Sequence, residues 1–463
     1  MHEPVIAQPQ RAARRALTLA LCSVQFVDVM CVTVVVTALP DMVADFDGSA
    51  ADSTMIATAY AAFFGGLLLF GARVGQRIGH RRSILASIAL FAIAAAIAAM
   101  SPSALVLAGA RAVQGGAAAC AVPSALTLLS THAPDEHARA KAVAVWSASG
   151  AAAGISGYAV GGALTQIGDW RLIFWSLVLV SALLAVVVRA AVPADPPQPT
   201  RQPFNAFGAL TATGAVMLTV VGASVVGEGG YRSVVLLIAA AVTTAIFISV
   251  DRRSASPLIP AALARLRTVR WGSTTAFVNT ATTSGVATVL TLHLQGAQGY
   301  SPAAAAVTLL PLSVMVIFGA TAAGRLDRSL GAAAVGTIGM MLIAFGIAVL
   351  AGWPEVGLVV VIATTVMGCG LGMSSVASTA TALSVPDTVR AAASGLVNTA
   401  AQLGTALGTA ALLLLAASFD GEPNVAGASA PRIAWVAAAV LATATAAMWM
   451  TQRGSSHRGQ RLA

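Results

Sequence analysis

The sequence predicts an all-α polytopic membrane protein, and three observations carry that prediction. Of its 463 residues, 57% are hydrophobic and only 9% are charged, against about 25% charged in soluble domains. The apolar residues fall in continuous runs, most of them reaching the ~20 residues that cross ~30 Å of hydrocarbon as a helix. Such runs lack the in-and-out alternation of a membrane β-barrel, which leaves the helix as the spanning structure. The basic residues sit singly or in small groups between the runs and concentrate on alternate sides, which is a topology signal.

Taken in order, fourteen runs are expected to span. The first six are Leu17–Leu39, Met55–Phe70, Ile84–Met100, Ala104–Leu129, Ala142–Leu164 and Leu172–Val188. Two more, Phe207–Val226 and Ser233–Val250, follow a Pro-rich stretch, Pro193–Pro203, that cannot be helical throughout. The last six are Gly272–Leu294, Ala304–Ala323, Ala332–Ala351, Val356–Leu383, Ala392–Ala417 and Ile433–Met450. With the N-terminus in the cytosol, 22 of the 26 Lys and Arg lie on cytoplasmic segments. Only Arg171, Arg232 and Arg432 lie on the opposite face, and Arg111 is inside a span. Both termini are therefore expected in the cytosol.

Other classes are disfavoured by what surrounds these runs. Arg11, Arg14 and Arg15 before an apolar run imitate a signal peptide, but Leu17–Leu39 is too long for an h-region and more spans follow. The net charge of +9 is spread between spans, with no continuous basic face for nucleic acid. Cys22, Cys31, Cys120 and Cys369 all lie in apolar runs, without zinc spacing or a disulfide framework. No G-x-x-x-x-G-K-[ST] accompanies the sole lysine, Lys141, so ATP-driven transport is unsupported. No H-E-x-x-H, paired-aspartate cluster or G-x-S-x-G appears, which counts against a membrane-embedded enzyme.

The most informative loop is Ala72–Arg82, ARVGQRIGHRR, where four arginines and His80 are held between two uncharged runs. It resembles the loop between spans 2 and 3 of the major facilitator superfamily, roughly G-R-L-x-D-R-x-G-R-R. Arg73, Arg77, Gly79, Arg81 and Arg82 match; Ala72 replaces the first glycine, and Gln76 stands where the family has aspartate. A compressed echo, Gly324-Arg-Leu-Asp-Arg328 with Gly331, occurs at the corresponding place in the second half. Parallel six-span repeats are a transporter plan. The segments Asp251–Pro260, Leu294–Pro302, Ser394–Asn398 and Gln402–Gly404 resemble the fourteen-span drug:proton antiporter branch. The resemblance covers nearly the whole chain. It implies a major facilitator fold with an N-terminal six-helix bundle (1–192), linkers with two extra transmembrane helices (193–270) and a C-terminal six-helix bundle (271–463).

Chemistry is expected from the few polar groups inside the spans, because charge at the bilayer centre is costly. Asp28 lies midway along Leu17–Leu39 and is the one acid well inside the core spans. It reads either as a proton or substrate site or as a fixed structural acid hydrogen-bonded to its neighbours. The resemblance places the family aspartate nine residues before Pro40, where this chain has Cys31; Asp28 is one turn nearer the cytosol. Arg111, in Arg111-Ala-Val-Gln114-Gly115, resembles the family's R-x-x-Q-G, whose arginine is linked to proton transfer. Its alternative is a structural partner of backbone carbonyls, and an Asp28–Arg111 pair is an open expectation. Gln25, one turn before Asp28, is a candidate to orient it, and Gln114 a candidate cavity residue.

Gly150, Gly154, Gly157, Gly161 and Gly162 are expected on one face of span 5, where they allow close helix approach. The stretch resembles the antiporter signature G-P-x-x-G-G, with Tyr158 in place of the proline. Asn279, His293, Asn398 and Gln402 are candidates either for a central cavity or for interhelical hydrogen bonds. Gln76, Arg77, Gly79 and Arg81 are expected to form a conformational-switch loop, with a weaker latch because Gln76 carries no charge.

The resulting expectation is a non-enzymatic, proton-coupled exporter of a hydrophobic drug or antibiotic, working by alternating access in a bacterial cytoplasmic membrane. Its partners would be a small-molecule substrate, protons and the lipid bilayer, with no nucleic acid, no metal and no cofactor, and the chain acting as a monomer. A facilitator importing a metabolite is the nearer alternative; a passive channel would leave the two-half repeat unexplained.

Overall fold

A computed structural model describes residues 7–133, 135–195, 205–225, 231–259, 261–418 and 430–460; among them there is no β-strand. The first six helices are α1 (Ala7–Asp45), α2 (Ala50–Ile78), α3 (His80–Ala99), α4 (Ala104–Thr131), α5 (Glu136–Ile167) and α6 (Arg171–Ala191). Next come α7 (Ala206–Ser224), α8 (Tyr231–Arg253) and the short α9 (Ala261–Arg265). The last six are α10 (Arg267–Leu292), α11 (Pro302–Leu330), α12 (Ala332–Gly352), α13 (Gly357–Ala382), α14 (Asp387–Ser418) and α15 (Ala430–Gln460). Most of the Pro-rich stretch, with Arg201, and Pro260 lie outside the described residues.

Among the described residues, ten helices are long and apolar enough to cross a membrane, or eleven if the bent pair within α2 counts as one. The sequence reading gives fourteen. The difference falls on α5, α7 and α10. Among the described residues the apolar stretch of α7 runs over Ala206–Gly222. In α10 hydropathy is lowered by Thr275, Asn279, Thr282, Thr283, Thr288 and Thr291, all of which face the protein interior. A span sheltered by its neighbours tolerates such residues because each hydroxyl bonds a carbonyl one turn back, as Thr282 and Thr283 do.

Local chemistry sets where helices begin. Ser49 and Asp52 form a reciprocal capping box at α2, and Ser103, Asp135 and Ser301 cap α4, α5 and α11. Two joints instead depend on glycine: α2 turns into α3 at Gly79 (φ +99°), and α11 into α12 at Gly331 (φ +78°). Side chains with a Cβ are disfavoured at those angles. The two basic motifs of the sequence therefore end in the same backbone device, one in each half.

The buried apolar side chains form two large clusters. One is drawn from residues 17 to 192, and the other mainly from 278 to 446, with Tyr158 of α5 reaching into it. The first six and last six helices meet where α5 lies on α11 and α2 on α14, and α7 packs on both α2 and α14. Outward faces are apolar: Leu90, Ile93 and Ile97 on α3 and Leu179, Leu183 and Val186 on α6 are exposed. Helix α8 is the extreme case, with only 11% of its apolar window buried. A helix apolar all round and left uncovered by protein is suited to lipid.

Candidate functional site

The centre of α1 holds the site. Asp28 is 5% exposed and accepts a hydrogen bond of 2.5 Å from the Tyr60 hydroxyl of α2. Tyr60 is fully buried, and its ring lies under the Arg111 guanidinium at 4.9 Å to the centroid. Arg111 is 1% exposed and donates through Nη1 to the Cys31 carbonyl (3.0 Å) and to Cys31 Sγ (3.1 Å). Cys31 Sγ in turn faces Gln114 Oε1 at 4.0 Å. Asp28 and Arg111 thus belong to one buried chain, but Tyr60 stands between them and no ion pair joins them directly.

This geometry explains the one-turn displacement seen in the sequence. Cys31 occupies the position closest to the guanidinium, whereas Asp28, one turn back, meets the tyrosine hydroxyl. An aspartate at position 31 would sit directly on Arg111, whose Nη1 lies 3.1 Å from Cys31 Sγ. Here an apolar thiol leaves Arg111 bound to a carbonyl, with its Nε buried and unpartnered. Tyr60 was missed by sequence reasoning, although a tyrosine in the middle of the Ala- and Phe-rich span 2 is a usable signal in a chain with four tyrosines.

The remaining candidates are placed as follows. Gln25 does not orient Asp28; its amide reaches α5 at Gly150, and its Oε1 is unpartnered. Asn279 donates to Ser374 and Ser375 of α13 (3.1 and 3.3 Å), an interhelical bond within the second half. His293 begins a π-turn, His293–Ala297, at the end of α10, where it meets Gln298 and the Trp435 ring. That turn lets Gln295 donate to the Thr37 carbonyl of α1 at 2.8 Å, a cross-link between halves that the sequence did not single out. Gln402 packs against Gly65 of α2, and Asn398 is exposed.

The glycines of α5 divide between two neighbours instead of lining one face. Gly150, Gly157 and Gly161 face α1, and a Cβ at Gly161 would collide with the Val34 carbonyl. Gly154 and Gly162 face α11, where a Cβ at Gly162 would come within 2.9 Å of the Pro302 carbonyl. Helix α5 is therefore a spacer-free wedge between the acid-bearing helix and the second half.

The α2–α3 loop is held by a carboxylate that the motif did not predict. Asp195, after α6, accepts the backbone N–H groups of Arg81 (2.8 Å) and Arg82 (2.9 Å) at the start of α3. Arg81 Nη2 donates to the Arg189 carbonyl at 2.7 Å, closing the same corner. Gln76 is exposed. Arg73 reaches the other way, donating to the carbonyls of Ser256 (3.3 Å) and Pro257 (2.6 Å) beyond α8. That segment is itself folded on buried Asp251, which accepts from Asn205, Leu258 N and Ile259 N. On the opposite end of the helices, Arg171 binds Asp45 (2.8 Å) and Asp169 (3.1 Å), tying α6 to α1.

The sequence from residue 21 to 409 matches the profile of the Major Facilitator Superfamily. The chain belongs to that superfamily. A cephamycin export protein of Amycolatopsis lactamdurans is 32% identical over 432 residues, covering 89% of this chain and 87% of that protein. A puromycin resistance protein of Streptomyces alboniger is 33% identical, covering 82% of this chain and 77% of that one. A multidrug efflux pump of Mycolicibacterium smegmatis is 29% identical, covering 82% and 76%. Among solved structures, a bacterial homolog of the human lysosomal transporter Spinster superposes with a TM-score of 0.69 at 16% identity, covering 94% of this chain and 96% of that one. This superfamily member thus shares the major facilitator fold, with its charged cluster built inside the first six helices.

Proposed function

We propose that this chain is a proton-coupled exporter of hydrophobic small molecules of the antibiotic class. Its two six-helix halves, residues 1–192 and 271–463, would expose a midplane site alternately to the two faces. Residues 193–270 supply linkers and the added pair α7–α8, giving fourteen spans, both termini cytosolic and a monomeric transporter in the bacterial cytoplasmic membrane. The observation that carries the reading is the buried chain Asp28–Tyr60–Arg111. A carboxyl held off its neighbouring cation and bonded only by a neutral hydroxyl is free to gain and lose a proton, and ionisable groups inside spans mark ion pathways. The relatives support the substrate class, since they include proteins named for cephamycin export, puromycin resistance and multidrug efflux.

The test is antibiotic transport in everted vesicles energised by a proton gradient, with and without an uncoupler. Asp28→Asn keeps the volume and most hydrogen bonding but cannot ionise. It should abolish uphill export while permitting downhill exchange. Full coupled export by the asparagine variant, at matched expression, would sink the assignment.

A further inference from the structure

We infer that a water-bearing polar column inside the first six helices, running along α3 from His80 to Ser87 and ending at Ser181 and Asp28, carries protons between Asp28 and the Gly79 face of the protein. This rests on the reading of Asp28 as the coupling acid and adds the route by which its proton travels. The starting observation is a cavity enclosed by α1, α3, α4 and α6, with Val24, Val27, Asp28, Ser87, Phe91 and Ser181 among its walls. Its volume is about 30 Å³. Sites for drug-sized molecules run to about 300–1,000 Å³, whereas one water needs roughly 10–15 Å³ measured this way. Size therefore excludes the transported molecule and admits about two waters.

The walls are mainly apolar, and the polar groups among them are Asp28, Ser87 and Ser181. Ser87 is 6% exposed and Ser181 1%, both line the cavity, and neither hydroxyl has a protein partner. Buried hydroxyls are rarely left so, and water bridging them to the Asp28 carboxylate would satisfy all three. From the cavity the polar groups continue toward the α2–α3 loop. His80, Ser83 and Ser87 follow at spacings of three and four, which places them on one face of α3. Seven residues of helix rise about 10 Å, so this face leads from the loop to the depth of the cavity. On the facing helix α4, Ser124 Oγ is buried without a partner, as is His80 Nδ1. Both crowd the bare α-carbon of Gly75, where a Cβ would come within 2.7 Å of the imidazole.

The charged and titratable groups around this path are few. At the inner end they are Tyr60 from α2, Cys31 of α1 itself and Arg111 from α4. The polar groups that α3 and α6 contribute to the cavity walls are the hydroxyls of Ser87 and Ser181, beside the apolar Ile88, Phe91 and Leu184. At the loop end Asp195 lies beside His80 and on the backbone N–H groups of Arg81 and Arg82. A proton taken up by the Asp28 carboxylate leaves by the column as a relay: each water or hydroxyl accepts one proton and releases another, so O–H bonds break and form in step and one proton moves in net. The Tyr60 side of the acid needs no part in the transfer.

The experiment compares two double variants of nearly equal volume. Ser87→Val with Ser181→Val removes both hydroxyls, and Ser87→Thr with Ser181→Thr retains them. The valine pair should slow proton-driven efflux by about a hundredfold, the low end of what a positioned proton-transfer group contributes. The threonine pair should stay within about twofold, and downhill exchange should be equal in both. Equal coupled efflux by the two pairs, or a loss of downhill exchange in the valine pair matching its loss of efflux, would overturn the route. Radiolytic labelling with isotopically marked water reads the cavity directly: oxygen incorporation at Phe91 is expected, and its absence overturns the water column. The outcomes separate from the underlying reading. If Asp28→Asn remains coupled, the acid is wrong; if it is uncoupled while the valine pair is normal, only the route is wrong.

Discussion

At the scale of single residues, the arrangement of Asp28, Cys31, Tyr60 and Arg111 makes the acid movable. Cys31 Sγ lies 3.1 Å from Arg111 Nη1, so Cys31→Asp alone would create a direct ion pair beside the existing acid. The informative variant is the swap, Asp28→Asn with Cys31→Asp. It should recover a large part of the coupled efflux that Asp28→Asn loses, measured as uncoupler-sensitive transport in everted vesicles. No recovery would mean that the Tyr60 hydroxyl or the polar column behind position 28 is indispensable. Tyr60→Phe tests the same point from the other side. It removes a hydrogen bond worth about 1.5–3 kcal/mol if the acceptor is charged while keeping the ring beneath the guanidinium, and should lower coupled efflux more than downhill exchange. Asp28 and Arg111 were legible in the sequence because charge inside an apolar run is conspicuous. Ser87 and Ser181 were not, because a lone hydroxyl in a membrane helix is common and only packing shows which ones lack a partner.

At the scale of helices, the α2–α3 joint shows how a motif can be completed from elsewhere in the chain. Gln76 suggested a weakened latch, but Asp195 places its carboxylate on the N–H groups of the second and third residues of α3, Arg81 and Arg82. The favourable pairing of an anion with a helix N-terminus is general. Asp195→Ala should therefore cost about 0.5–2 kcal/mol, the usual worth of an N-terminal cap, read as a lower melting temperature of purified protein. Gln76→Asp should leave stability within error, because that side chain is exposed. A reversed order would show that the motif position still governs the loop. Sequence spacing found this loop and its glycine; it could not find Asp195, which reaches the loop only because α6 returns to the same face as the end of α2. The same limit applies to α5, where a periodic stripe of glycines proved to serve two neighbours.

At the scale of the whole molecule, the run-and-loop pattern anticipated every helix longer than a few turns among the described residues, since continuous apolar stretches have few alternatives to helix. What hydropathy could not separate was a span facing lipid, such as α8, from one shielded by protein, such as α10. Topology remains a direct measurement. Reporter fusions after Arg201 and after Pro260 should both read as cytosolic, because α7 and α8 form a hairpin between them; opposite readings would remove one of the pair as a span. That hairpin is joined to the first half by Arg73, which holds the carbonyls of Ser256 and Pro257 and no side chain. Every amino acid offers the same carbonyl, so an alanine scan across 254–259 would pass over this strut without registering it. Side chains at 256 and 257 can change without loss of these two bonds, whereas a one-residue insertion or deletion would move the carbonyls out of reach. At those two positions the strut is constrained in length and not in letters.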